Sequence, residues 1–166
     1  MFNVGEAVIY CSQVYTVEGT EKKTIGKTVK EYYCLKNVYD ERNSVFIPVD
    51  NELLVGKMRA VLSRKEILEM IAGFTNIESC WVEDEKERNA KFKEILEKGD
   101  RFEMARMVKT LFEKKCQLEE ISRHLHSADE TVFHRAEKAI CEEFALVLGI
   151  KKEEVIPFIA KALKHE

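Results

Sequence analysis

The stretch Trp81-Val82-Glu83-Asp84-Glu85-Lys86-Glu87-Arg88 divides this sequence into two halves of different character. It contains the only tryptophan of the 166-residue chain, followed by acidic residues that favour the first turn of a helix. The residues before it are typical of short strands, and the residues after it are typical of helices. A large aromatic side chain here either fills the boundary between two modules or contacts another molecule.

Residues 1 to about 60 carry the pattern of short β-strands separated by turns. Four runs are rich in β-branched and aromatic residues: Ala7–Tyr10, Val14–Val17, Glu31–Lys36 and Ser44–Val49. A fifth strand is expected near Met58 to Leu62, and Gly26 and residues 40–43 supply turns. Strands this short and close together predict a small curled sheet or half-barrel. Pro48 suits an edge of it, because proline cannot donate to a strand ladder.

The second part of the chain has helical spacing. Ser63 and Glu66 form a capping box that begins a short helix, and a linker follows over Phe74–Cys80. Longer helices are predicted to begin at Asp84, Asp100 and Ser127, to stop at Gly99 and Gly149, and to be followed by a last helix that includes Val155 and Leu163. The predicted fold class is therefore α+β. It comprises a β module over residues 1–62, a short helix and linker over 63–80, and a compact helical bundle over 81–166.

Composition restricts the function. Hydrophobic residues make up 45% and charged residues 34%, as in globular proteins, and no apolar run is long enough to span a membrane. The N-terminus lacks the features of a signal peptide, so a cytoplasmic location is expected. The five cysteines show neither C-x-x-C pairing nor zinc spacing, which favours reduced, half-buried thiols. The net charge of −3 gives no long-range attraction to polyanions, so any nucleic-acid contact must be local or assisted by a partner.

The two halves together resemble the CarD/CdnL family of bacterial transcription regulators. In the first half the resemblance rests on Phe2–Glu6, Val8–Tyr10, Thr24-Ile25, Tyr32–Leu35, Ile47–Val49 and Gly56–Arg59. In the second half it rests on Trp81, Arg88, Phe92, Ile95-Leu96, Gly99-Asp100, Val108–Leu111 and Glu143–Ala145. It covers nearly the whole chain, and the ordered set is more specific than any single piece.

The resemblance implies a Tudor-like, strongly bent first module that docks on the β subunit of RNA polymerase. The helical module would then reach promoter DNA at the upstream edge of the melted bubble. There the tryptophan would wedge against the minor groove and prolong the open complex, without sequence-specific recognition. No cofactor and no metal are expected, and the oligomeric state is left open, with a monomer favoured.

The DNA-contacting residues expected on this basis are Trp81, Arg88, Lys91 and Lys93. An aromatic wedge unstacks bases at a cost of a few kcal/mol per step, which is lower where the duplex is already melting. The alternatives are that Trp81 is a core aromatic and that the three cations lie on a solvated helix face. The acidic residues within 83–87 oppose a strongly adhesive surface, so binding to free DNA should be weak and salt-sensitive.

The polymerase-contacting residues expected on the same basis are Lys23 and Phe46. Lys23 matches a basic contact of the family, and its alternative is a solvated lysine in a turn-rich segment. Phe46 stands where relatives often carry a basic residue, and it is either a core residue or an exposed apolar contact. An exposed strand edge could add main-chain pairing with a partner's strand.

The sequence contains no pattern typical of an enzyme. His124 and His126 are two residues apart, which places them on different faces of a helix, and His134 and His165 stand alone. No nucleophile elbow and no phosphate-binding glycine loop is present. We expect a non-enzymatic transcription regulator, with a Tudor-like module for a partner unrelated to transcription as the alternative.

Overall fold

The computed structural model describes residues 1–164, and the side chains of residues 1–162. An open antiparallel five-stranded sheet is followed by a helical region, which confirms the α+β class. The chain forms two compact units, Met1–Val61 and a second that begins at Leu62. His165, in the tail, lies outside the described residues.

The first unit contains the sheet. Its strands are β1 (Ala7–Tyr10), β2 (Gln13–Ile25), β3 (Thr28–Asn37), β4 (Ser44–Pro48) and β5 (Arg59–Ala60). They lie in the order β4-β3-β2-β1-β5, with every neighbouring pair antiparallel. A single turn of helix, α1 (Glu52–Val55), follows β4 and was not predicted. The core consists of Val8, Tyr15, Val17, Tyr33, Leu35, Ile47 and Met58.

The hairpin formed by β2 and β3 is longer than the sequence pattern predicted. Pairing continues from Tyr15, opposite Asn37, to Ile25, opposite Thr28. Lys23 was expected in a turn-rich segment, and this was wrong, because it lies within β2 and pairs with Lys30. The outer half of the hairpin is exposed on both faces, so it lacks the alternation of apolar and polar residues that identifies a strand.

The second unit contains five helices in its described part. They are α2 (Arg64–Ala72), α3 (Glu85–Lys98), α4 (Arg101–Glu120), α5 (Ser127–Leu148) and α6 (Val155–Lys164). The largest fully buried side chains between them include Phe92, Met104, Met107, Leu111 and Phe144. None of the helices within residues 1–164 combines the length and apolarity needed to cross a bilayer.

Most of the helix ends follow the predicted local chemistry. Ser63 and Glu66 form the reciprocal capping box at the start of α2. The side chains of Asp84 and Asp100 accept hydrogen bonds from the third residues of α3 and α4. Gly99 ends α3 in the left-handed conformation that favours glycine, with φ of 68°.

The start of α5 differs from the prediction. Ser127 does not cap the helix, because α5 already begins there, and His126 precedes it without a side-chain capping bond. Asp129, in the first turn of α5, is buried and forms an ion pair with Arg88 on α3. A partner distant in sequence thus holds the first turn of α5 against α3, and His126 supplies no side-chain cap.

The segment predicted to be a linker belongs to the second unit. Ile67 and Ile71 of α2 are buried there, and the chain after α2 makes a short 3-10 turn over Phe74–Asn76. Three side chains of α4 form hydrogen bonds with the backbone of residues 74–80. This stretch, called the strap below, is therefore held against α4.

Candidate functional site

Trp81 lies at the end of this strap, three residues before the N-cap of α3. It is half-buried, so the indole is neither sealed in the core nor fully exposed. Its Nε1 atom is buried and has no hydrogen-bond partner among the described residues. Any surface that the ring presents to solvent is therefore carbon.

The backbone before Trp81 is held by α4. The hydroxyl oxygen of Thr110 accepts a hydrogen bond from the Cys80 backbone N–H at 3.0 Å. The Arg106 guanidinium donates to the carbonyl of Glu78 at 2.8 Å. Lys109 Nζ donates to the carbonyl of Phe74 at 2.6 Å, and also to that of Ile77 at 3.2 Å. Hydrogen bonds from charged donors are stronger than neutral ones, so the strap has a defined path up to the tryptophan.

The backbone after Trp81 is held by Arg88. Arg88 Nη1 donates to the carbonyl oxygens of Val82 at 2.9 Å and Glu83 at 3.3 Å. The same guanidinium forms a two-point ion pair with Asp129, Nε to Oδ1 at 3.0 Å and Nη2 to Oδ2 at 2.8 Å. The hydrogen bond to Asp129 raises the pKa of Arg88 further above its ordinary value, against the opposing effect of burial.

The expectation that Arg88 lies on an exposed helix face and contacts phosphates must be corrected. Its side chain is 3% exposed, and its nitrogens are occupied by Asp129 and by two backbone carbonyls. Removing either partner of such a buried pair would leave an uncompensated charge in the interior, so the guanidinium stays with its carboxylate. The face of α3 that carries Arg88 is therefore turned toward α5.

Two cations lie over the indole ring. The Arg88 Cζ atom is 4.2 Å from the ring centroid, and Lys114 Nζ on α4 is 4.8 Å from it. These distances are within the range of cation–π attraction, which contributes roughly 0.5–2 kcal/mol. Sequence reasoning did not include Lys114 in the site, because no local pattern connects it to a residue on another element.

The two predicted lysines of α3 have different positions. Lys91 is half-buried, and its Nζ donates to the carbonyl of Cys80, next to Trp81, at 3.5 Å. Lys93 is exposed and is not one of the cations over the ring. The acidic side chains of residues 83–85 and 87 are also exposed, so the surface around the indole carries both signs of charge.

A second candidate surface lies on the sheet of the first unit. Lys23 Nζ is 3.2 Å from the centroid of the Phe46 ring, which joins β2 to β4 across β3. Phe46 is 44% exposed, which decides that it is a surface residue and not part of the core. Alternation along the strands places both residues on the face opposite Tyr33 and Ile47.

Cys34 and Glu21 lie on the same face as this pair. The Cys34 thiol is 3.7 Å from a carboxylate oxygen of Glu21. Burial, followed by the nearby Glu21 charge, raises the pKa of the Cys34 thiol above its ordinary value. A thiol held in its neutral form is a poor nucleophile, so the surroundings of Cys34 do not favour a reactive cysteine.

No protein-family model matches this chain, and no curated protein sequence shows significant similarity to it. Among the described residues, no group of three or more His, Cys, Asp or Glu side chains is placed to hold a metal ion. The candidate functional groups are the Trp81 indole, whose flanking backbone is hydrogen-bonded on both sides, and the Lys23–Phe46 pair.

Proposed function

We propose that this protein is a non-enzymatic transcription regulator of the bacterial cytoplasm. Its β module docks on the β subunit of RNA polymerase, and its helical module stabilises the promoter open complex. The DNA contacts are not sequence-specific and lie near the upstream edge of the bubble. The observation that carries the proposal is Trp81, a half-buried residue whose flanking backbone is hydrogen-bonded on both sides.

A buried tryptophan N–H usually finds a hydrogen-bond partner. Nε1 of Trp81 has none among the described residues, and the residue is half-buried. An apolar ring on a fixed support suits insertion at a weakened base step. Stacking of a base on an aromatic side chain contributes about 1–3 kcal/mol and requires no particular base.

The charge distribution favours a function in which the protein reaches DNA while bound to RNA polymerase. The chain has a net charge of −3, and exposed acidic residues lie beside Trp81. Free DNA should bind weakly, with affinity that falls steeply with salt. A module anchored to polymerase instead meets DNA at an effective concentration of about millimolar. A regulator that binds the open complex better than the closed one then shifts the balance by its differential affinity.

The Lys23–Phe46 pair supports the docking half of the proposal. The ring holds the ammonium group in place, so a charge and an apolar surface are presented together. Aromatic side chains at an exposed interface are common anchors of binding energy. A partner with an acidic group beside an apolar one would complement this pair.

The test uses the full chain and purified polymerase. Lys23→Glu should weaken capture of the β subunit, because it reverses the charge over Phe46. Lys22→Glu is the matched control. Lys22 is exposed and pairs with Glu31 on the opposite face of the same hairpin, so its change should have little effect.

Equal capture of polymerase by the parent and by Lys23→Glu would remove this face from the interface. No capture of polymerase by the folded parent would favour the alternative, a sheet module whose Lys23–Phe46 pair binds a partner unrelated to transcription. The DNA half is tested separately by the open-complex lifetime with Trp81→Ala, which should be shortened.

A further inference from the structure

We infer that Arg88 and Asp129 form a positioning pair, which sets how the Trp81 indole is presented and does not itself touch DNA. The inference rests on the proposed function only where it names base stacking as the use of that indole. The positioning itself is a property of the free protein.

The ion pair fixes the guanidinium. Arg88 and Asp129 are 41 residues apart in sequence, and their side chains are 3% and 1% exposed. Two parallel N–H···O bonds leave the guanidinium plane little rotational freedom. The third nitrogen, Nη1, bonds the carbonyls of Val82 and Glu83. One side chain is therefore anchored to the start of α5 and to the backbone that follows the tryptophan.

The fixed guanidinium in turn supports the ring. Its central carbon is 4.2 Å from the centroid of the Trp81 ring, a distance typical of a planar cation against an aromatic face. The Cys80 N–H on the other side of Trp81 is held by Thr110. The backbone next to Trp81 is thus held by Thr110, and the indole ring is contacted by the guanidinium of Arg88. The orientation of the indole is therefore set in the free protein, before any ligand binds.

This placement decides which chemistry the indole offers. Nε1 is buried without a partner among the described residues, so the only polar atom of the ring is not presented. A ring that presents only carbon can make apolar contact with a base or a sugar but cannot donate a hydrogen bond to a base edge. Under the proposed function, the pair therefore sets which carbon surface of the indole meets the base step, and it supports contact without hydrogen-bond selection of sequence.

The experiment uses the single tryptophan as its own reporter, in the free full-length protein. Arg88→Lys keeps the charge but removes the planar fork, and Asp129→Asn removes the carboxylate charge with little change of shape. Both variants should shift the Trp81 emission to longer wavelength and increase its quenching by acrylamide. Far-UV circular dichroism establishes that each variant is folded.

The matched control is Glu143→Gln. Among the described residues, Glu143 forms a second fully buried ion pair, with Arg101 at the first residue of α4. Its carboxylate also accepts a hydrogen bond from the Leu62 N–H at 2.9 Å. This change loosens the same helices, and it should leave the emission and quenching of Trp81 unchanged. An equal shift in the control would overturn the inference, because it would show general loosening. Unchanged emission and quenching in folded Arg88→Lys and Asp129→Asn would also overturn it.

The open-complex lifetime connects this inference to the proposed function. With polymerase and promoter present, Asp129→Asn should shorten the lifetime in the direction of Trp81→Ala. An unchanged lifetime with Trp81→Ala would refute the DNA role of the indole, and the fluorescence result for Arg88 and Asp129 would still stand. The two failures are therefore distinguishable.

Discussion

Replacing Trp81 with phenylalanine tests whether the indole nitrogen has a role. Nε1 is a buried donor with no partner among the described residues, and a donor left in this state costs about 1–3 kcal/mol. Phenylalanine removes that cost and keeps an aromatic ring. The smaller ring loses apolar contact worth about 0.8 kcal/mol for each methylene-sized group. Because these effects oppose each other, we expect the free energy of unfolding to remain within about 1 kcal/mol of the parent value.

Trp81→Ala removes the whole ring and gives the scale for comparison. A fully buried tryptophan removes about 150–250 Å² from water, which at about 25 cal/mol per Å² contributes about 4–6 kcal/mol, and the half-buried Trp81 contributes less. Loss of the cation–π contact with Arg88 adds about 0.5–1 kcal/mol, whereas removal of the orphaned donor returns about 1–3 kcal/mol. We expect a net destabilisation of about 1–3 kcal/mol, below that of an aromatic truncated in a well-packed core.

Urea unfolding followed by far-UV circular dichroism measures both variants, since neither retains a tryptophan for fluorescence. The companion measurement is the open-complex lifetime. Trp81→Phe should retain most of the effect of the parent, and Trp81→Ala should lose it. A phenylalanine variant that is stable but as inactive as alanine would refute this reasoning, because an aromatic carbon ring at position 81 would then not be sufficient. Destabilisation by alanine well beyond about 4 kcal/mol would identify Trp81 as a core residue.

The remaining predictions concern buried charge and buried thiol. Glu143→Gln should lower the free energy of unfolding by about 3–5 kcal/mol, because it leaves the buried Arg101 without its carboxylate; a loss below about 1 kcal/mol in urea unfolding would contradict this. Burial, with Glu137 and Glu142 adding to it, raises the pKa of the Cys141 thiol from 9.0 to about 11. The folded state therefore keeps a proton that the unfolded state releases, so stability should fall as pH rises from about 9 to 11, by up to about 1.4 kcal/mol per pH unit. Cys141→Val should lack this part of the decline when unfolding is compared across that range.

Sequence reasoning succeeded where the interacting atoms are close along the chain. The capping box of Ser63, the caps of Asp84 and Asp100 and the stop at Gly99 each involve groups within about four residues, so their chemistry is readable from spacing alone. It was less successful for the β2–β3 hairpin. Its outer half pairs through main-chain bonds that leave no apolar pattern in the side chains.

For the candidate site, the sequence supplied the residue but not its surroundings. Trp81 stands out as the only tryptophan at a change of periodicity, whereas the burial of Arg88 has no local signal. Its partner Asp129 is 41 residues away, and Lys114 reaches the indole from a different helix. Likewise Lys23 and Phe46 meet only because β3 lies between their strands.

The amino-acid sequence by itself determined the division into a β half and a helical half, together with most helix ends, because periodicity and capping act over a few residues. Only the tertiary structure decided that Arg88 is a buried support and that Trp81 presents carbon. Whether a charge is solvated or paired, and which edge of a ring faces water, depends on side chains from elements distant in sequence. Those neighbours exist only once the helices have packed.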